Sequence, residues 1–179
     1  MLLSHSKKFV FYHIPKTAGI SIRSCLSQYA DIIPENYIHL TGKLDPLHIN
    51  QSVANLIYNI PSDYKQFVIV REPIERLISM FKYGYNIDRF GTFSNFCQRV
   101  FQHHSEYTLS NFYDTQLNWI DDKTKVFKLE DLSSLEEYLE IENLFLPREN
   151  VNPIRIDITP EERNFCLEFL KKEYEILGY

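Results

Sequence analysis

Residues 9–22 read FVFYHIPKTAGISI. The apolar run from Phe9 to Ile14 predicts a buried β-strand. Pro15 ends it, because proline has no N–H to give to a ladder. Lys16, Thr17, Ala18, Gly19, Ile20 and Ser21 form a turn. A helix opens around Gly19 to Ser21 and runs on through Ile22 and Leu26 to about Tyr29. A strand–turn–helix junction of this kind aims several backbone N–H groups and a helix N-terminus at one point, which makes an anion site. Lys16 adds a point charge, and Thr17 and Ser21 add hydroxyl donors. A phosphate-like ligand is the expectation. The plain alternative is an ordinary strand–turn–helix with a solvated lysine.

The loop is not a Walker A motif, which needs G-x-x-x-x-G-K-[ST] with the lysine after the glycines. Here Lys16 comes before Gly19, the first glycine in the chain. A second segment has the same build. FVIV, residues 67–70, predicts a short strand, and Arg71-Glu72-Pro73 follows directly. From Ile74 to Phe81 the apolar residues recur at helical spacing, and Pro73 suits the first turn of that helix. Arg71 therefore lies at a strand's C-terminal end, where open α/β sheets bind ligands. Ser79 lies roughly 9 Å further along the helix axis at the usual rise per residue. The two grip one phosphate only if the helix leans over the site. The alternatives are a capping or surface arginine and a small serine packed in a helix.

HIPKTAGIS, residues 13–21, resembles the lysine-first loop of sulfotransferases that use 3′-phosphoadenosine 5′-phosphosulfate (PAPS). The likeness is strongest in the carbohydrate, uronyl 2-O-like branch. REPIERLISMFKY, residues 71–83, is similar to that family's 3′-phosphate segment. The resemblance implies that Lys16, Thr17, Ala18, Gly19, Ile20 and Ser21 hold the 5′-phosphosulfate. It implies that Arg71 and Ser79 hold the 3′-phosphate. It also implies PAPS as donor co-substrate, 3′,5′-ADP as product, no metal, and a P-loop-NTPase-like sulfotransferase architecture. KVFKLEDL (125–132), with Glu130 at the family's acidic position, LPRENVN (146–152) and KKEYEILGY (171–179) extend the likeness over nearly the whole chain. It is weakest between about Gly84 and Ser110. Ile20 departs from the pattern, since the family usually has a hydroxyl residue there.

Sulfuryl transfer builds negative charge on the leaving phosphate's bridging oxygen, which a lysine and oriented N–H groups stabilise. Lys16 is the candidate. The acceptor hydroxyl must lose a proton, and histidine has a suitable pKa for taking it. Of six histidines, His13 lies inside the first motif and is read as shaping the loop. His103 and His104 adjoin a polar loop, and His5 is near the terminus. His48 opens the helix before the second strand. The uronyl 2-O-sulfotransferases place a catalytic histidine at closely similar spacing, so the resemblance makes His48 the base; a structural histidine at a helix start is the alternative. His39 is the reserve, and Glu72 or Asp45 comes third.

The remaining pattern alternates: helices at about 49–60, 93–101, 135–139 and 160–174, a strand at 124–129, irregular stretches at 32–46 and 103–114, and an ambiguous segment at 116–120. Strands joined by helices predict an α/β fold, a doubly wound parallel sheet flanked by helices. The 179 residues suit one domain, 1–179, and 44% hydrophobic residues argue against disorder. The net charge of −5 argues against nucleic acid as a partner. Three scattered cysteines predict buried free thiols rather than a disulfide framework. No membrane span, signal peptide or anchor is visible, so a soluble cytoplasmic protein is expected. The expected partner is a carbohydrate or other hydroxyl acceptor. Tyr83, Tyr85, Phe90, Tyr107, Phe112, Tyr113 and Trp119 are either a sugar-stacking set or ordinary core and surface aromatics. Two other classes remain open at this level. One is a nucleotide-binding protein without transferase activity. The other is a P-loop kinase, for which Glu130-Asp131 is the only Walker B candidate.

Overall fold

A computed structural model describes residues 1–33, 46–84, 86–103, 113–144 and 152–179. His39, Asp45, Tyr85, His104, Tyr107, Phe112 and residues 146–151 lie outside the described residues. Four strands form one sheet: β1 (Leu2–Ser4), β2 (Phe9–Tyr12), β3 (Lys65–Val70) and β4 (Thr124–Lys128), side by side in that order. β2, β3 and β4 are parallel, with Phe11 beside Phe67 and Val68 beside Val126. Their C-terminal ends therefore open on one edge, and the loops after Tyr12, Val70 and Lys128 gather there.

Strand alternation sends side chains to two faces. Phe9, Phe11, Phe67, Ile69 and Phe127 face α1 (Gly19–Leu26) and α6 (Leu135–Leu139) through Ile22, Leu26, Leu135 and Leu139. Val10, Tyr12, Val68 and Val70 pack against Ala54 of α2 (Gln51–Tyr58), Trp119, and Leu177 of α7 (Pro160–Leu177). A third cluster joins α3 (Pro73–Phe81), α5 (Phe93–His103) and α7 through Ile74, Met80, Phe96, Cys97 and Cys166. α4 (Asn86–Phe90) lies between α3 and α5 in the chain. Cys97 and Cys166 bring their Sγ atoms to 3.7 Å, and all three cysteines are buried free thiols.

The structure corrects the sequence reading in four places. The sheet is not wholly parallel: Leu2–Ser4 adds an antiparallel edge strand, hydrogen-bonded to β2 through a hairpin. Three residues are too few to show a period in sequence, yet Leu2 and Leu3 are fully buried. The β2 ladder stops at Tyr12, so His13 and Ile14 are buried but outside it. α1 ends at Leu26 and gives way to a 3₁₀ turn at Ser27–Tyr29. α7 runs past Tyr174 to Leu177, where Gly178 takes the left-handed conformation (φ 68°) that closes a helix. The start of α7 agrees with its sequence. Thr159 Oγ1 accepts from the Glu162 N–H at 3.2 Å, and the Glu162 carboxylate accepts from the Thr159 N–H at 2.9 Å. Among the described residues, no helix is long and apolar enough to cross a membrane.

Candidate active site

The loop after β2 is wound tightly and held from inside. Thr17 Oγ1 donates to the Ile14 carbonyl at 2.9 Å, so this hydroxyl closes the turn. Lys16 (φ 68°) and Ala18 (φ 60°) both take left-handed backbone conformations on either side of Thr17. Each costs on the order of 1 kcal/mol for a residue with a Cβ. Left-handed residues in a turn are the backbone form that builds anion-receiving nests of N–H groups. α1 begins at once, with no side-chain cap and no acidic residue in its first turn, so its leading N–H groups face the same place. Ile20 is 49% exposed and offers this site only its N–H, whereas Ser21 is buried.

Gly19 is required by a close approach. A Cβ there would lie 1.7 Å from Nε2 of His13. The His13 ring is 5% exposed and stacks on Phe11 at 5.9 Å between centroids. Burial, and then the neighbouring His48, hold its pKa well below the usual histidine value. Its Nδ1 is buried with no hydrogen-bond partner among the described residues. His13 is thus a neutral ring filling the root of the loop.

His48 ends a short 3₁₀ turn, Pro46–His48. Its ring lies 4.3 Å from the His13 ring, and its Nδ1 is 2.9 Å from the His13 carbonyl oxygen. A carbonyl only accepts, so Nδ1 carries the proton, and in the neutral ring Nε2 holds the lone pair. His48 is half-buried. This tautomer suits a general base.

Lys16 is half-buried and places its Nζ 4.2 Å from the centroid of the Tyr83 ring. Burial lowers its pKa, and the charges of Arg71 and Lys82 lower it further. The charge of Arg71 is thus felt at Lys16. Arg71 reaches along α3 to Glu75 in an ion pair of 3.3 Å. Ser79 is partly buried one turn beyond Glu75 on the same face, and Lys82 at the helix C-cap continues that face.

The backbone of Arg71 is fixed by residues that sequence reasoning missed. Gln116 Oε1 accepts from the Arg71 N–H, and Gln116 Nε2 donates to the Arg71 carbonyl, both at 2.9 Å. Gln116 is fully buried. It is held in turn by the buried Glu173 carboxylate, which accepts from its Nε2 and from its backbone N–H at 3.1 Å. Arg76 was also missed. It is 4% exposed, donating from Nε to the Pro15 carbonyl at 3.0 Å and from Nη1 to the Asp114 carbonyl at 2.9 Å. Burial lowers its pKa to about 10. Its one sequence signal was a charged residue between Ile74 and Leu77 on the buried stripe of α3.

Among the described residues, the carboxylates of Glu72 and Glu130 are engaged in hydrogen bonds. Glu72 caps α3, accepting from the Glu75 N–H at 2.6 Å, and its other oxygen accepts from the Tyr174 hydroxyl. Glu130 accepts from the Glu72 N–H at 3.1 Å and from the Tyr179 hydroxyl at 2.7 Å. Of the described aromatics, Trp119 is fully buried and Phe90 packs on Phe96, while Tyr83 and Tyr113 reach the surface. No group of three or more histidine, cysteine or acidic residues that could hold a metal occurs among the described residues.

A protein-family model described as the sulfotransferase family matches residues 1–133, about three quarters of the chain. No curated protein and no solved structure matches.

Proposed function

The chain belongs to the sulfotransferase family, and from that premise we propose that it moves the sulfuryl group of PAPS to a hydroxyl of a carbohydrate acceptor. The observation that carries this reading is the loop Lys16–Ser21. Two left-handed residues and an uncapped helix start converge there, with Lys16 and Arg71 close enough for their charges to interact. In this reading Lys16 and the backbone N–H groups of residues 17–21 hold the 5′-phosphosulfate. Arg71 and Ser79 hold the 3′-phosphate. The family's doubly wound, P-loop-like architecture then extends to this chain. Residues 1–179 act as one domain, which the contact of Glu173, beyond the matched region, with Gln116 supports.

The donor supplies an SO₃ group attached to a good leaving phosphate. Lys16 and the loop N–H groups oppose the charge that grows on the bridging oxygen as that bond breaks. His48 Nε2 takes the proton that leaves the acceptor hydroxyl. The His13 carbonyl, accepting from His48 Nδ1, stabilises the imidazolium so formed. The products are a sulfate ester, 3′,5′-ADP and a proton. The cytoplasm is the proposed location.

The test is turnover. Purified protein with PAPS and a panel of hydroxyl acceptors, saccharides first, should release 3′,5′-ADP and a sulfated product. Thermal shift separates the kinase alternative. Stabilisation by 3′,5′-ADP above that by ATP–Mg²⁺ supports the transferase, and the reverse ranking overturns it. Both Glu130 oxygens already accept hydrogen bonds, from the Glu72 N–H and the Tyr179 hydroxyl, which weighs against Glu130 as the acid of that alternative.

A further inference from the structure

We propose that Tyr83 is a positioning residue for Lys16, its ring face holding the lysine ammonium at the mouth of the loop. As a step in sulfuryl transfer this rests on the reading above. As a statement about Lys16 it stands on the geometry alone.

The Lys16 Nζ lies 4.2 Å from the centre of the Tyr83 ring, within cation–π range. Tyr83 is 55% exposed, so packing alone does not account for a large aromatic there. Its place is set by the end of α3. The Tyr83 N–H donates to the Met80 carbonyl at 3.0 Å, and Gly84 turns the chain away with φ 61°. The charged groups whose fields reach Lys16 are Arg71, at the start of α3, and Lys82, at its end. Both are cations, and the carboxylate of Glu75 on the same helix is paired with Arg71. Among the described residues, the ring quadrupole is therefore the attractive contact of the Lys16 ammonium in the ligand-free site. A lysine that must be charged when the donor arrives is kept charged by an uncharged group, which does not compete with the donor's phosphates as a carboxylate would.

The experiment uses the ligand-free protein. Lys16 acylation by acetic anhydride is followed by peptide mass spectrometry across pH in wild type, Tyr83→Leu and Tyr83→Phe. Removing the ring should favour the free amine, moving the reactivity midpoint down by roughly half a pH unit in Tyr83→Leu. Tyr83→Phe, which keeps the ring, should keep the wild-type midpoint. Superimposable midpoints in wild type and Tyr83→Leu overturn the proposal. The catalytic half is read from the alkaline limb of kcat for PAPS. It should move down with the acylation midpoint in Tyr83→Leu and not in Tyr83→Phe. A moved midpoint with an unmoved limb removes the positioning role. Wild type that releases no 3′,5′-ADP, with the midpoint still moved, overturns the sulfotransferase reading and leaves the Lys16–Tyr83 contact standing.

Discussion

His48 Nδ1 donates to the main-chain carbonyl of His13 at 2.9 Å, so the residue that leads from β2 into the loop also sets the tautomer of the candidate base. The two histidines have opposite tasks. His13 is buried and kept neutral, and it fills space above Gly19. His48 is half-buried and presents Nε2.

His48→Ala should lower kcat by about two to four orders of magnitude, the usual worth of a general base. Binding of 3′,5′-ADP, followed by thermal shift, should be little changed, because no part of His48 belongs to the phosphate loop. His48→Asn keeps a donor toward the His13 carbonyl and should recover stability without rate. Initial rates of 3′,5′-ADP release within twofold of wild type in His48→Ala would remove His48 from this role.

Gly19→Ala forces a methyl to within 1.7 Å of the His13 ring. Overpacking of this kind costs about 1–3 kcal/mol, and the start of α1 must shift with it. Urea denaturation should show the loss, and calorimetry should show weakened 3′,5′-ADP binding. The double variant Gly19→Ala/His13→Ala should be more stable than the sum of the singles predicts, because the clash disappears. Additive costs would contradict the interlock.

Gln116→Ala leaves the Arg71 N–H and carbonyl without their buried partner and removes one of the two hydrogen bonds that Gln116 gives the Glu173 carboxylate. Unmade buried hydrogen bonds cost about 1–3 kcal/mol each, and a buried charge more. A stability loss of about 3 kcal/mol or greater is expected from chemical denaturation. The KM for PAPS should rise more than kcat falls, since Arg71 is displaced and Lys16 is not. Unchanged KM in a folded variant would count against Arg71 at the 3′-phosphate.

Acid should destabilise the fold through His13. Its folded pKa lies well below 6.5, so as pH falls below 6.5 the unfolded chain binds a proton that the folded ring refuses. The contribution is fully present above pH 6.5 and is lost progressively below it, by about 1.4 kcal/mol per pH unit. Denaturant midpoints for wild type and His13→Gln between pH 7.5 and 5.5 measure it. The variant should have the flatter profile, and parallel profiles would refute the assignment.

Residues 9–22 and 65–83 carried their own local structure. An apolar run stopped by Pro15, a turn around Gly19, a β-rich run and a helix with Pro73 at its start are short-range patterns, and short-range sterics and hydrogen bonding decide them. The lysine-first order of the loop was legible for the same reason. What the backbone does at Lys16 and Ala18 was not, because neither residue favours the left-handed region alone; the Thr17–Ile14 bond and the anchoring of the loop to Arg76 impose it.

The rest depended on residues far apart in the chain. Gln116 lies in a short segment of ambiguous pattern and Glu173 in a long helix; the packing of β3, the 3₁₀ turn at Gln116–Trp119 and α7 places Gln116 against Arg71 and Glu173 against Gln116. Tyr83 was one aromatic among seven, and its contact with Lys16 separates it from buried Trp119. The sequence by itself determined three of the four strands and most of the helices, and singled out the Lys16–Ser21 loop and His48 as candidates. The tertiary structure alone decided which groups brace Arg71, why Gly19 tolerates no side chain, and which nitrogen of His48 is basic. Each of those depends on a contact that no local pattern encodes.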